Sequence, residues 1–450
     1  MKMRPALNTH RNHYDVLLRL LDAVARRRKA VCLGSRLLLL ACVLAGVPVV
    51  AARAKALPEF IRDGENGYLA SPTDAREFAE NEFTSELIEK CDREEYYPIE
   101  VVRKARDLGF STIKIPEEYG GMGLSLFEEC LVMEEFYRVS PGIGNACLSS
   151  TFGTELIILF GNGEQKGKYL RWITEKHGIS AMATTEPEAG SDVANVRTRI
   201  VKEGDEWVIN GTKTFITNGT IADYFIVLAV TNPEAQPRYR GFTVFLVKKD
   251  TPGISVNKIG GKLGIRASPT AEIAFKDVRV DDGAVVGELN RGFYHVLEFF
   301  DESRVEIAAQ ALGIAQGAFD RLINYVKQRK QFGQLIAAFQ ALQHRIAELK
   351  TQIETARLLV YKAAWNYDQG RIDPGLTSMA KYWAGKVAMN VCDEAIQMHG
   401  GYGYIAEYEV ERFFRDAKIT EIYEGTKAVS YTHLRAHETS LHLVCRLLLE

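Results

Sequence analysis

The chain reads as an α+β protein whose helices and strands are segregated along the sequence, and three successive stretches of distinct period carry that reading. From Thr73 to about His177, apolar residues recur every three or four positions. From Ile179 to about Val286 they run in short β-branched stretches bounded by charged and turn residues. After Gly292 the helical spacing returns and holds to about Asp368, then resumes from Gly375 to His399. A doubly wound nucleotide fold would alternate strand and helix instead.

In chain order, Asp74–Lys90, Ile99–Leu108 and Leu124–Arg138 are predicted helices, each with an apolar stripe. Ile115-Pro-Glu-Glu-Tyr-Gly-Gly-Met-Gly123 is a turn between them. In the middle, Trp207–Lys213 holds an Asn-Gly turn in a β context, and Tyr224–Val230 and Gly241–Val247 are strands. Phe215-Ile-Thr-Asn-Gly219 reads as a strand end entering a hairpin. The helix around Gly144–Leu159 is apolar except for Glu155, which either faces solvent or makes a pocket unusual. Expected boundaries are 1–75, 76–178, 179–288, 289–428 and 429–450.

Composition bounds the function. The 450 residues are 46% hydrophobic and 25% charged with a net charge of −2, an ordinary globular balance that gives no pull toward nucleic acid. No continuous apolar run of about 18 residues suggests a membrane span. Seven scattered cysteines without C-x-x-C point to free thiols, a reducing compartment and a cytoplasmic protein. His433 and His437 have H-x-x-x-H spacing without a glutamate between them, so no metal is expected. His399 is expected to be a packed histidine.

The ends read differently. Arg26-Arg-Arg-Lys29 precedes an apolar stretch, Leu37–Val50, but starts too late for a signal peptide. Gly46-Val-Pro-Val-Val-Ala51, Leu57-Pro-Glu-Phe-Ile61 and Asp63-Gly-Glu-Asn-Gly-Tyr-Leu69 resemble the C-terminal domain of nucleotide-sugar-dependent glycosyltransferases. That stretch, about 40–75, is one βαβ-sized unit and too small to carry a catalytic role alone. Ser430–Thr439 breaks the preceding pattern, so both ends are expected to be foreign to the central body.

Four constellations carry chemistry. They are Ala183-Thr-Thr-Glu-Pro-Glu-Ala-Gly-Ser-Asp192, Phe215–Gly219, Gln397-Met-His-Gly-Gly-Tyr-Gly-Tyr404, and Arg412-Phe-Phe-Arg-Asp416 leading to Ile422-Tyr-Glu-Gly-Thr426. Singly each has a bland reading: a capped turn, a strand end, a chain turn, a surface glutamate. In this order, with Arg329-Lys-Gln-Phe-Gly333 and Gln340 between them, the stretch from about 78 to 428 resembles the acyl-CoA dehydrogenase family.

That resemblance implies an N-terminal helical domain, a middle β-domain and a C-terminal four-helix bundle. It also implies FAD-dependent α,β-dehydrogenation of an acyl-CoA thioester. Glu424 is implied as the base that removes the α-proton, its backbone N–H helping to bind the thioester carbonyl. Met182, Thr184, Thr185 and Ser191 are implied at the flavin ring, with Phe215 stacked beside it and Thr217 at its N5 edge. The family usually has Trp where Phe215 stands. Arg329, Gln331, Phe332, Gln397 and Gly401 are implied to reach a neighbouring subunit's FAD, and Thr426 the FAD of its own subunit.

Ser191, Asp301, Arg304 and Gly425 are implied on the substrate side. Some relatives carry their base one residue before the arginine. Ser303 stands there, which favours Glu424, and Glu302 should face elsewhere on its helix. An electron-transfer flavoprotein as acceptor and a homotetramer follow from the same resemblance. An acyl-CoA oxidase, or a non-catalytic chimera crippled by its ends, are the alternatives.

Overall fold

The computed structural model describes residues 72–430. The glycosyltransferase-like stretch, the basic and apolar run at 26–50, His433, His437 and most of the atypical tail lie outside the described residues.

Three helices open the described part: α1 (Pro72–Glu82), α2 (Ser85–Glu94) and α3 (Ile99–Asp107). The single helix expected over Asp74–Lys90 is thus two. Thr84 leaves helical geometry, and its hydroxyl accepts from the Leu87 N–H to cap α2. Next comes α4 (Leu126–Val139), which begins in a capping box of Ser125 and Glu128. The apolar stretch after it breaks into α5 (Pro141–Leu148) and α6 (Glu155–Phe160). Pro141–Phe160 has the length and hydropathy of a membrane span, but 67% of its most apolar window is buried inside the protein. Phe78, Phe83 and Phe110 surround Phe136, with ring centroids 5.6, 5.4 and 5.3 Å from it, which fixes α1 and the loop after α3 on α4.

The middle of the chain forms an eight-stranded sheet. Its strands are β1 (Ser180–Ala183), β2 (Arg199–Glu203), β3 (Glu206–Thr217), β4 (Tyr224–Val230), β5 (Phe242–Lys248), β6 (Ile254–Lys258), β7 (Thr270–Val280) and β8 (Val285–Val286). The order is β6-β7-β3-β2-β4-β5-β8, with β1 parallel to β4. The unbroken apolar run of β4 is explained by burial on both faces. Tyr224, Ile226, Leu228 and Val230 join Ile157, Leu170 and Phe299 in one core, and Phe225, Val227 and Ala229 join Ile209, Ile273 and Phe275 in another.

Two turn readings are corrected here. Asn210-Gly211 does not reverse the chain: β3 runs through it on a register shift against β7, and the reversal falls at Gly204-Asp205, where Glu203 pairs with Glu206. Asn218-Gly219 likewise opens no hairpin, because β3 pairs with β2 and β7 while β4 pairs with β1, β2 and β5.

The C-terminal part is built on α7 (Gly292–Val326), α8 (Gln340–Asp368), α9 (Pro374–His399) and the short α10 (Val410–Ala417). A Cβ on Gly313 or Gly317 would lie 2.5 Å from the Glu134 carbonyl or 2.2 Å from that of Arg138, so only glycine lets α7 approach α4 this closely. Asp368, at the end of α8, accepts from Ser125 Oγ and from the Leu126 and Phe127 N–H groups, tying α8 to the start of α4.

Beneath α7 lies a buried charge cluster. Lys114 Nζ is 2.6 Å from Glu302, 2.9 Å from Glu129 and 3.3 Å from Glu155, and it also contacts Glu306. Tyr367 donates to Glu302 at 2.8 Å. Glu302 therefore faces away from Glu424, as expected, and Glu155 is buried against Lys114 and does not face solvent. Burial is the main force against ionisation of these carboxyls, the four repel one another as well, and one ammonium offsets only part of it. Glu129 is pushed up, Glu155 to about 7 and Glu306 to about 8.

A carboxyl whose folded-state pKa is raised contributes stability below its unfolded value and loses it as pH rises through the folded one. Thermal stability should therefore decline from about pH 4.5 to about pH 8, and Glu306→Gln should flatten that decline in a melting series. Lys114→Met, which strands the acids, should cost roughly 3–5 kcal/mol in denaturant unfolding at pH 8.

Candidate active site

The turn after α10 carries the candidate base. Glu424 (φ 51°) and Gly425 (φ 92°) both adopt left-handed backbone, tolerable at Gly425 but strained at Glu424. Such a turn persists only when its surroundings hold it. Ser303, on α7, donates its hydroxyl to Glu424 Oε2 at 2.8 Å. Lys381, on α9, donates to the Gly425 carbonyl and is 1% exposed. Arg304, buried beside them, pairs with Asp301 at 3.2 Å.

Burial raises the Glu424 carboxyl above the ordinary range, while the Ser303 hydrogen bond and the charges of Arg304 and Lys381 pull it back. Burial likewise lowers Arg304 and takes Lys381 down to about 8. Glu424 keeps part of its surface open, as a group that must meet a ligand requires. Thr426 caps the next turn through its hydroxyl, which accepts from the Val429 N–H at 3.3 Å.

A second group lies at the C-terminal ends of β1 and β3. Met182 is buried in β1, Thr184 is buried just after it, and Thr185 is half-buried. The loop that follows is pinned by Glu186, which accepts from the N–H groups of Arg197 and Thr198 and from buried Lys213 at 2.9 Å. Burial opposes ionisation of Glu186, but Lys213 and the Thr198 N–H outweigh it and hold the carboxyl below its usual range. Phe215 sits on a second register shift of β3 with φ 57°, which turns its ring outward, 67% exposed. Thr217 closes the strand opposite Thr270 of β7, and Ser191 is exposed on the pinned loop.

A third group faces outward on the C-terminal helices. Arg329 lies over the Tyr402 ring at 5.2 Å. Gln331 and Phe332 occupy a small hairpin, and Phe332 is 94% exposed with φ 52°. Gln397 and Gly401 are exposed at the end of α9, with open space where a Gly401 side chain would be. His399 packs against the Tyr325 ring at 4.1 Å, with Nδ1 2.7 Å from the Ala395 carbonyl.

The structure thus joins Glu424, Gly425, Asp301 and Arg304 in one place. It groups Met182, Thr184, Thr185, Phe215 and Thr217 in another and leaves the Arg329 group facing outward. In the sequence Ser303 is visible only as the absence of a base, and Lys381 gives a single signal, a lysine amid the small apolar residues of α9.

Three observations fit a flavin. Thr184 Oγ1 is buried without a hydrogen-bond partner. The Phe215 ring is held open to a planar neighbour. The space at Gly401 admits a ligand from outside. A planar redox cofactor is what such an open ring, free hydroxyl and outward space can hold, and a desolvated carboxyl is the kind of base that chemistry at an acidic C–H bond needs.

The comparisons are specific. The acyl-CoA dehydrogenase N-terminal, middle and C-terminal domain models match residues 71–177, 181–278 and 290–437. A 3-(aryl)acrylate reductase of Clostridium sporogenes is 42% identical over 357 residues, covering 79% of this chain and 94% of its own. The caffeyl-CoA reductase-Etf complex subunit CarC of Acetobacterium woodii is 40% identical, covering 79% and 93%. The solved butyryl-CoA dehydrogenase of Megasphaera elsdenii superposes with a TM-score of 0.78 at 37% identity, covering 82% of this chain and 96% of that one. The chain belongs to the acyl-CoA dehydrogenase family. It is an oxidoreductase acting on a CH–CH group, with FAD as its cofactor. Residues 17–82 separately match the model for glycosyl transferases group 1, a wider stretch than the motifs alone suggested.

Removing the Ser303 hydroxyl removes a bond to the charged form of Glu424. Ser303→Ala should therefore move the acid limb of the pH–rate profile upward by up to about one unit. Glu186→Gln leaves Lys213 buried without its anion and should lower both melting temperature and bound flavin, read from visible absorbance.

Proposed function

We propose that the protein catalyses α,β-dehydrogenation of an acyl-CoA thioester, with Glu424 as the base that takes the α-proton. What carries the reading is the half-buried Glu424 carboxyl on its strained turn, raised by burial and held by Ser303 from a second helix. A raised pKa makes the carboxylate a stronger base for a weakly acidic carbon, and desolvation removes the water that would compete for it. Its backbone N–H supplies a donor for the charge developing on the thioester oxygen. FAD, when bound, accepts the β-hydride.

Met182, Thr184, Thr185, Ser191, Phe215 and Thr217 hold and orient the flavin, and the Thr184 hydroxyl is free for it. Thr426 serves the flavin of its own subunit. The outward Arg329, Gln331, Phe332, Gln397 and Gly401 serve that of a neighbouring copy, which makes a homotetramer the working assembly. Ser191, Asp301, Arg304 and Gly425 hold the thioester and CoA side. An electron-transfer flavoprotein is the acceptor, a reading supported by the Acetobacterium woodii relative, a subunit of a reductase-Etf complex. The cytoplasm is the expected location.

The purified protein should be yellow and should bleach anaerobically with an acyl-CoA from a panel that includes butyryl-CoA and 3-arylpropionyl-CoA. Glu424→Gln should bind the thioester and not bleach; bleaching at the wild-type rate would refute the assignment. Oxygen uptake with peroxide formation would favour an oxidase, and a colourless protein a non-catalytic chimera.

A further inference from the structure

We propose that Lys381 is a positioning residue of this reaction: from α9 it tethers the Gly425 carbonyl and sets a buried positive charge beside Glu424, keeping the strained turn in place and its carboxylate ionised. The inference rests on the reading of Glu424 as the base.

The geometry supports it in three ways. Glu424 and Gly425 are consecutive residues in left-handed backbone, and two different helices hold them: Ser303 of α7 on the carboxylate, Lys381 of α9 on the next carbonyl. Lys381 is 1% exposed, and the Gly425 carbonyl is its one hydrogen-bond acceptor among the described residues. A buried ammonium is a costly way to satisfy one carbonyl, because a neutral amide could donate without desolvating a charge. What the lysine adds is its charge.

The other charged groups there are accounted for. Arg304, also on α7, is paired with Asp301, and Glu421 is bound by Lys418 at 2.7 Å and Lys427 at 3.0 Å. Tyr423 is engaged with Gln310. Glu424 is left as the anion that the Lys381 charge serves. The two influence one another in the expected sense: Lys381 lowers the Glu424 carboxyl, and Glu424 opposes the burial that lowers Lys381.

The test uses the full-length, flavin-loaded protein and the acyl-CoA from the panel that bleaches it fastest. Lys381→Gln keeps a donor without charge, Lys381→Met removes both, and Lys381→Arg keeps the charge. Flavin content, melting temperature, KM and the pH dependence of the bleaching rate are measured for each. In the Gln and Met variants the acid limb should move up by about one pH unit, so the rate well below the limb falls about tenfold while the plateau rate is kept. KM should change less than about twofold, and Lys381→Arg should restore the limb.

A Lys381→Gln protein that holds flavin and keeps the wild-type limb and rate overturns the proposal. So does a loss of rate that only tracks loss of flavin. Should Lys381→Met fail to load flavin, the Gln and Arg variants decide. Bleaching by Glu424→Gln at the wild-type rate refutes the base assignment itself, whereas an inert Glu424→Gln beside a wild-type-like Lys381→Gln refutes the role of Lys381 alone.

Discussion

A carboxylate that must take a proton from carbon has to be withdrawn from water and still stay ionisable. Those demands conflict, because burial alone drives a carboxyl toward its neutral form. The structure resolves the conflict with a few aimed groups: one hydroxyl on Glu424, one ammonium near it, and a guanidinium already partnered by Asp301. Each favours the charged form without forming a tight ion pair that would make the carboxylate too weak a base.

The same helix serves two environments. On one side α7 presents Ser303 and Arg304 to the candidate base; on another it presents Glu302 and Glu306 to Lys114. Successive helical residues point about 100° apart, so anchoring one face fixes the direction of the other. The glycines that seat α7 against α4 and the Asp368 cap that joins α8 to α4 complete the frame. Position at the site is thus set by helix packing and not by the turn alone.

Buried ion pairs recur where stability alone would favour apolar residues. Lys213 with Glu186 fixes the loop after β1, and Arg357 with Glu134, at 2.7 Å, joins α8 to α4. Such pairs add little net stability, but each tolerates few geometries, so they specify where a loop or helix must lie. They fall at the seams between segments, where a shift would displace the residues proposed to hold the flavin and the thioester.

Much of this was legible in the amino-acid order. The helix–strand–helix succession follows from hydrophobic period, because a helix or strand must bury one face whatever its partner is. The site motifs were legible because loops that shape ligands need particular residues at fixed spacing. Harder to read were features made by contact between distant segments. These include the bulge at Gly211 in place of a turn, the outward ring of Phe215, and the partners of Glu155 and Glu302.

The sequence by itself determined the class of fold and the order of its layers, since local pattern suffices for those. Only tertiary structure decided that Ser303 and Lys381 meet the Glu424–Gly425 turn from two helices. Hydrogen bonds and buried charges depend on distances across the core, which no local spacing encodes.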